Sequence, residues 1–200
     1  MKRAVILYPG FCNINMINEI RRKYDPLADY IAPHITLVFP FDSSISADRL
    51  SLHLKEALAG IKKFNVRLKG ITGDFKDGYL FLNVKQGNDN IIELHDRLYS
   101  GILDVYLTRE ITYCPHLTIG RTQTGFEFDK AINELSRFGE SFSAVIDRVY
   151  VENITDNEKS VPDLSFGLES SIVLLPIAAR LYVFRANRKA VAFATALSPY

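Results

Sequence analysis

The chain is short of cysteine, of unbalanced charge and of long apolar runs, and each shortage removes a class of function. Its 200 residues hold two cysteines, Cys12 and Cys114, and no Cys-x-x-Cys pair. That is too few for a disulfide scaffold and fits a reducing compartment. Lys and Arg number 24 against 23 Asp and Glu, a formal net charge of +1. No broad cationic field is available to hold long nucleic acid, although a small patch around a site is compatible with this balance. No unbroken apolar stretch approaches the roughly 18 residues of a membrane span. The opening M-K-R-A-V-I-L-Y is too short an apolar run for a signal peptide, lacks a small-residue cleavage site, and reads as a β-strand. A soluble, cytoplasmic protein is expected, and a monomer. Its 48% apolar content suits one domain or two small lobes around a shared core.

The end of the chain differs in composition. After Glu169 there is no acidic residue, while Arg180, Arg185, Arg188 and Lys189 follow an apolar segment. Residues 171–200 therefore read as an atypical basic and apolar tail, and no function is taken from it.

What is present is a repeated motif. Residues 32–38 read A-P-H-I-T-L-V and residues 114–120 read C-P-H-L-T-I-G. Pro-His-aliphatic-Thr-aliphatic has odds of roughly one in 10⁵ to 10⁶ at any given position with average residue usage. Two of the chain's four histidines thus share one local setting.

The surroundings repeat as well. A strand over Arg3 to Tyr8 leads to a helix over Asn15 to Tyr24. The first motif strand, His34 to Phe39, follows and ends at Pro40. Leu50, Leu54, Ala57, Leu58 and Ile61 then mark an amphipathic helix, and alternation over Phe64 to Lys69 marks a strand. Lys76-Asp77-Gly78 turns a hairpin. The order then restarts: a strand over Tyr79 to Lys85, a helix over Ile91 to Ile102, the second motif strand from Tyr113 to Ile119, a short helix over Asp129 to Phe138, and one strand from Phe142 to Glu152. After a polar loop, Thr155 to Asp163, a last strand takes in Leu164 to Leu168. The expected fold is α+β and bilobal, a single domain over residues 1–170. It has duplicated, interleaved lobes (repeat halves about 1–76 and 77–153), each an antiparallel-type sheet with packed helices. The motif strands face a central cleft across a pseudo-twofold axis.

Strand side chains alternate faces. His34 and Thr36 therefore share one face, and so do His116 and Thr118, with Ile35, Leu37, Leu117 and Ile119 packed behind them. Two imidazoles and two hydroxyls suit phosphodiester chemistry. One neutral ring activates a nucleophile, the other, protonated, serves the leaving oxygen, and the hydroxyls donate to phosphate oxygens. The alternatives are paired core histidines, and a metal site, for which neither copy offers H-x-H or H-E-x-x-H and only Cys114 stands near as a third donor.

The segments P-H-I-T-L-V-F and P-H-L-T-I-G-R resemble the two-histidine phosphoesterase superfamily, in its 2′-5′ RNA ligase-like branch, over about residues 2–170. The helix I-I-E-L-H-D-R-L and the late D-R-V-Y-V-E-N support the likeness. The resemblance implies a bilobal α+β fold and a phosphodiesterase role, hydrolysing 2′,3′-cyclic phosphates or making and breaking 2′-5′ linkages at nucleotide or RNA ends, with no cofactor and no metal. It implies His34 and His116 as the acid–base pair and Thr36 and Thr118 as phosphate holders. Arg121, of opposite parity to His116, is a secondary candidate for a phosphate or base edge. Tyr8 and Tyr113 are candidates for base stacking. His53 and His95 read as structural. Lys62, Lys63, Arg67 and Lys69 read as solvated surface able to guide an RNA end.

Overall fold

The computed structural model describes residues 1–157 and 159–169; the expected tail, 171–200, lies outside the described residues. The chain runs β1 (Lys2–Leu7), α1 (Ile14–Tyr24), β2 (Ile35–Asp42), α2 (Ala47–Ala57), β3 (Phe64–Asp74), β4 (Tyr79–Gln86), α3 (Asn88–Leu98), a 3-10 turn (Gly101–Tyr106), β5 (His116–Arg121), α4 (Gly125–Leu135), β6 (Ser141–Ile146), β7 (Arg148–Ile154) and β8 (Ser160–Gly167). Local signals set the helix starts. Ser46 caps α2 by accepting from the Arg49 amide, and Thr124 with Glu127 forms a capping box on α4.

The strands build two four-stranded antiparallel sheets, β2-β1-β7-β8 and β5-β4-β3-β6. The two motif strands are thus outer strands, and they approach each other. The repeat halves exchange parts. β3, from the first half, pairs with β4, while β7, from the second, pairs with β1. The helices exchange too: α1 packs against β5 and α3 against β2. One buried cluster runs through both sheets, with Ile35, Leu37 and Leu117 fully buried behind the motifs. Each such side chain contributes about 1.5–3 kcal/mol relative to exposure. Among the described residues no helix is long and apolar enough to cross a membrane.

Several boundaries differ from the sequence reading. The expected strand over Phe142 to Glu152 is two strands in different sheets. Asp147 and Arg148, both exposed, interrupt the alternation, and the Asp147 carbonyl accepts from the Leu168 amide at 2.8 Å. β2 does not stop at Pro40 but continues to Asp42. On an outer strand the missing proline N–H costs no ladder bond, and the register shifts between Val38 and Phe41. The polar loop expected up to Asp163 is instead the start of β8, an exposed edge strand with Pro162 beside a register shift. The α2 and α3 helices end earlier than their apolar patterns, and the second motif strand starts at His116 rather than Tyr113.

Candidate active site

Each motif histidine is locked in the same way. His34 Nδ1 lies 2.9 Å from the carbonyl oxygen of Ala32, and His116 Nδ1 lies 2.8 Å from that of Cys114. A carbonyl only accepts, so Nδ1 donates in both rings and the neutral ring keeps its lone pair on Nε2. The residue between ring and carbonyl is Pro33 in one copy and Pro115 in the other. Proline confines the chain there and holds the preceding carbonyl in place. The Pro-His pair is therefore a tautomer lock as well as the start of a strand.

Both rings are half-buried. Burial lowers the pKa of each below the ordinary 6.5, partly offset by the hydrogen bond to the backbone carbonyl. His34 also feels the buried Arg21 cation, which lowers it, Asp25, which raises it, and His116, which lowers it. Thr36 and Thr118 lie half-buried on the same faces as the rings, with Ile35 and Leu117 fully buried between ring and hydroxyl in each copy. Among the described residues neither hydroxyl has a side-chain hydrogen-bond partner.

An aromatic from the neighbouring strand or strand end walls each ring. Tyr8 meets His34 edge-on at 6.4 Å, and Phe81 packs on His116 at 4.1 Å. Burial, and then the Glu152 carboxylate, hold the Tyr8 phenol well above its usual range, so it stays protonated. Glu152 is itself fully buried and accepts from Ser160 at 2.9 Å.

Arg121 is brought to the site by a register shift. Leu80 pairs with Gly120 but Phe81 pairs with Thr118, so β5 carries one extra residue there. Ile119 and Gly120 are both buried in succession, and the period-two count that set Arg121 on the far face fails at this bulge. Arg121 pairs with Tyr79, its guanidinium 4.7 Å from that ring, and lines a cavity of about 330 Å³ with Thr118, Tyr79 and Tyr30. Gly120 serves the same corner: a Cβ there would sit 2.7 Å from the Tyr24 Cβ, so only glycine lets α1 close on β5. A second cavity, of about 900 Å³, opens beside Tyr8 and Pro33 and is lined by α1 and by Tyr30.

Tyr113 is used differently from the stacking role suggested by the sequence. Its hydroxyl donates to the Thr36 carbonyl at 2.7 Å, and its ring stacks on His95 at 3.8 Å. Tyr99 accepts from the Phe39 amide at 2.9 Å. Two tyrosines thus close the unpaired edge of β2, the strand that carries the first motif. His53 and His95 are buried, His53 against the Leu98 carbonyl and His95 against Asp96. Lys63 reaches Asp147 at 4.0 Å. Cys114 is exposed, and among the described residues no group of three or more His, Cys, Asp or Glu is arranged to hold a metal.

Sequence reasoning passed over Phe81 and Tyr79, whose alternation with buried Leu80 and Leu82 was a usable signal. It also passed over Arg21, which had none. Arg21 is almost wholly buried in an exposed-looking helix. It donates to Asp25 and to the Ile31 carbonyl, each at 2.8 Å, pinning the loop that leads to His34.

The family model described as the 2′-5′ RNA ligase superfamily matches residues 9–158. The chain belongs to this superfamily. Among similar members is a protein of Bacillus licheniformis named "Putative phosphoesterase", 26% identical over 160 residues, covering 78% of this chain and 92% of that protein. Two solved structures share the superfamily fold. Escherichia coli LigT complexed with 3′-AMP superposes with a TM-score of 0.58 at 17% identity, covering 84% of this chain and 98% of LigT. TT0787 of Thermus thermophilus superposes with a TM-score of 0.58 at 12% identity, covering 86% of this chain and all of TT0787.

Proposed function

We propose that the protein is a metal-independent phosphodiesterase that opens a 2′,3′-cyclic phosphate, or cleaves a 2′-5′ linkage, at a nucleotide or RNA end. The observation that carries this reading is the matched pair of imidazoles, each with Nδ1 committed to its own backbone and Nε2 left for chemistry. Membership of the superfamily supports it, as do the phosphoesterase name of the Bacillus relative and the nucleotide bound to LigT.

In this mechanism neutral His34 takes a proton from water through Nε2. The water oxygen bonds to phosphorus, and the bond from phosphorus to one ribose oxygen breaks. Protonated His116 gives its proton to that leaving oxygen. The outcome is a phosphomonoester and a free ribose hydroxyl, with the two rings' protonation states exchanged. His34 is assigned the role of base because, besides the burial that disfavours the charged form of both rings and the carbonyl hydrogen bond that opposes it in both, only His34 also faces the Arg21 cation, with Asp25 opposing it. Thr36 and Thr118 donate to the non-bridging oxygens, and Arg121 neutralises the charge that builds on them. Tyr8 and Phe81 flank the reacting group.

Turnover of nucleoside 2′,3′-cyclic phosphates and 2′-5′ dinucleotides in EDTA tests the proposal. His34→Ala and His116→Ala are each expected to abolish it. Binding of nucleotides without turnover of any of these substrates would leave a nucleotide-binding module instead, and formation of 2′-5′ linkages from matched ends would make the ligase direction the working one.

A further inference from the structure

The two motif rings are braced unequally. Each has its Nδ1 on a backbone carbonyl. An imidazole turns about two side-chain bonds, and the outer one has a broad torsional well, so one hydrogen bond does not fix the ring plane. For His116 the second brace is Phe81, packed at 4.1 Å and set inside β4, which is paired on both sides. For His34 it is Tyr8, edge-on at 6.4 Å. Tyr8 lies one residue beyond the end of β1 and is followed by Pro9 and Gly10. The orientation of His34 therefore depends on what holds Tyr8.

The side chains behind Tyr8 supply that hold. Ile6 pairs with Tyr150 and Ala4 with Glu152, which puts Tyr150 and Glu152 on one face of the first sheet. Tyr150 meets the Tyr8 ring at 5.2 Å and 67°. Glu152 engages the Tyr8 phenol by hydrogen bond and by charge. Ser160 donates through its hydroxyl to Glu152 Oε2 at 2.9 Å and through its amide to the Tyr30 carbonyl at 3.2 Å. Tyr30 belongs to the loop that reaches Ala32, whose carbonyl locks His34. Glu152 is thus tied to His34 from two directions, through the Tyr8 ring and through Ser160 and the loop.

Stability does not account for a carboxyl at this place. Glu152 is fully buried, its Oε1 has no hydrogen-bond partner, and no ion pair among the described residues reaches it. A carboxyl stripped of water and left half-satisfied weakens the sheet that holds it, and an apolar side chain of similar size is neutral or better in such a setting. We propose that Glu152 is a positioning residue, which anchors the Tyr8 ring and through it sets the plane of His34 for proton transfer at Nε2. This rests on the phosphodiesterase reading above.

The test measures kcat and KM on a nucleoside 2′,3′-cyclic phosphate, and Tm, for wild type, Glu152→Leu, Glu152→Gln, Tyr8→Phe and the double variant Tyr8→Phe/Glu152→Leu. Glu152→Leu is expected to lower kcat about tenfold with KM within about twofold of wild type and Tm equal or higher. A merely structural carboxyl would show the opposite, a lower Tm at unchanged kcat. Tyr8→Phe is expected to match the fall in kcat, and the double variant to be no slower than either single one, because both remove the same link. Glu152→Gln keeps the volume and an acceptor oxygen and is expected to restore kcat to within about twofold. Wild-type kcat in Glu152→Leu, losses that multiply in the double variant, or a loss that glutamine does not rescue overturns the proposal and leaves the phosphodiesterase reading standing. Should Glu152→Leu not fold, Tyr8→Phe takes its place: a lower kcat at unchanged KM and Tm supports the link, and wild-type kcat overturns it. Should wild type turn over no cyclic phosphate or 2′-5′ dinucleotide, the phosphodiesterase reading falls, and NMR of the imidazole nitrogens decides the link by itself. His34 signals that broaden or double in Glu152→Leu while those of His116 stay fixed support it; unchanged His34 signals, or equal changes in both rings, overturn it.

Discussion

Tyr113→Phe removes one oxygen atom and asks whether the first motif strand is held in place from the segment that precedes the second. The hydroxyl donates to the Thr36 carbonyl at 2.7 Å, while the ring stacks on His95 at 3.8 Å and 14°. Burial pushes the phenol well above its usual range, so it remains a donor at any working pH. The substitution keeps the stack and deletes only the bond, whose net worth is about 0.5–1.5 kcal/mol. Thr36 is half-buried, so water can partly replace the donor, and about 1 kcal/mol is the expected loss. For a domain of this size that lowers Tm by about 2–4 °C. The same loss acting on the position of the Thr36 hydroxyl in the transition state slows kcat about fivefold. A thermal melt followed by circular dichroism and steady-state kinetics on a cyclic phosphate read both quantities. Wild-type Tm and kcat in Tyr113→Phe, with a raised KM only in Tyr113→Leu, would refute the strut and return Tyr113 to base stacking.

Three further outcomes follow from the site. Burial lowers both histidines below 6.5, so the free enzyme holds two neutral rings above that pH while the reaction needs one protonated; kcat/KM is expected to rise as pH falls from about 8 to about 6 and then drop as the base is protonated. A flat profile would count against proton transfer by these rings. If His116 is the acid, a nucleotide p-nitrophenyl diester, whose leaving group needs no proton, is expected to restore turnover to His116→Ala but not to His34→Ala; the reverse pattern exchanges the two roles. Arg121→Met is expected to raise KM by about 10- to 100-fold, the worth of a hydrogen bond to a charged group; an unchanged KM would place Arg121 outside the phosphate site.

Much of the candidate site's local geometry was legible in the residues. Thr36 with His34, and Thr118 with His116, lie on common faces because strand alternation is local stereochemistry, and the buried Ile35 and Leu117 behind them are what that alternation requires. Helix starts at Ser46 and Thr124 are likewise local. Arg121 escaped the same count because a bulge is fixed by the partner strand: the extra residue on β5 exists only relative to Leu80 and Phe81. The split of Phe142 to Glu152 escaped for a related reason. Two exposed residues at Asp147 and Arg148 look like a fluctuation in one strand until β3 and β1 claim its two halves separately.

By itself the sequence determined that four particular side chains would face one way on two strands, and that those strands occupy matching places in a repeat. Both follow from backbone geometry over a few residues. Only the tertiary structure decided that the motif strands are neighbouring outer strands of two sheets, that α1 and α3 cross to the opposite halves, and that Tyr113 and Tyr99 close the β2 edge. These depend on pairings between residues from about 30 to about 150 positions apart, whose register is set by packing and edge chemistry that no local pattern encodes.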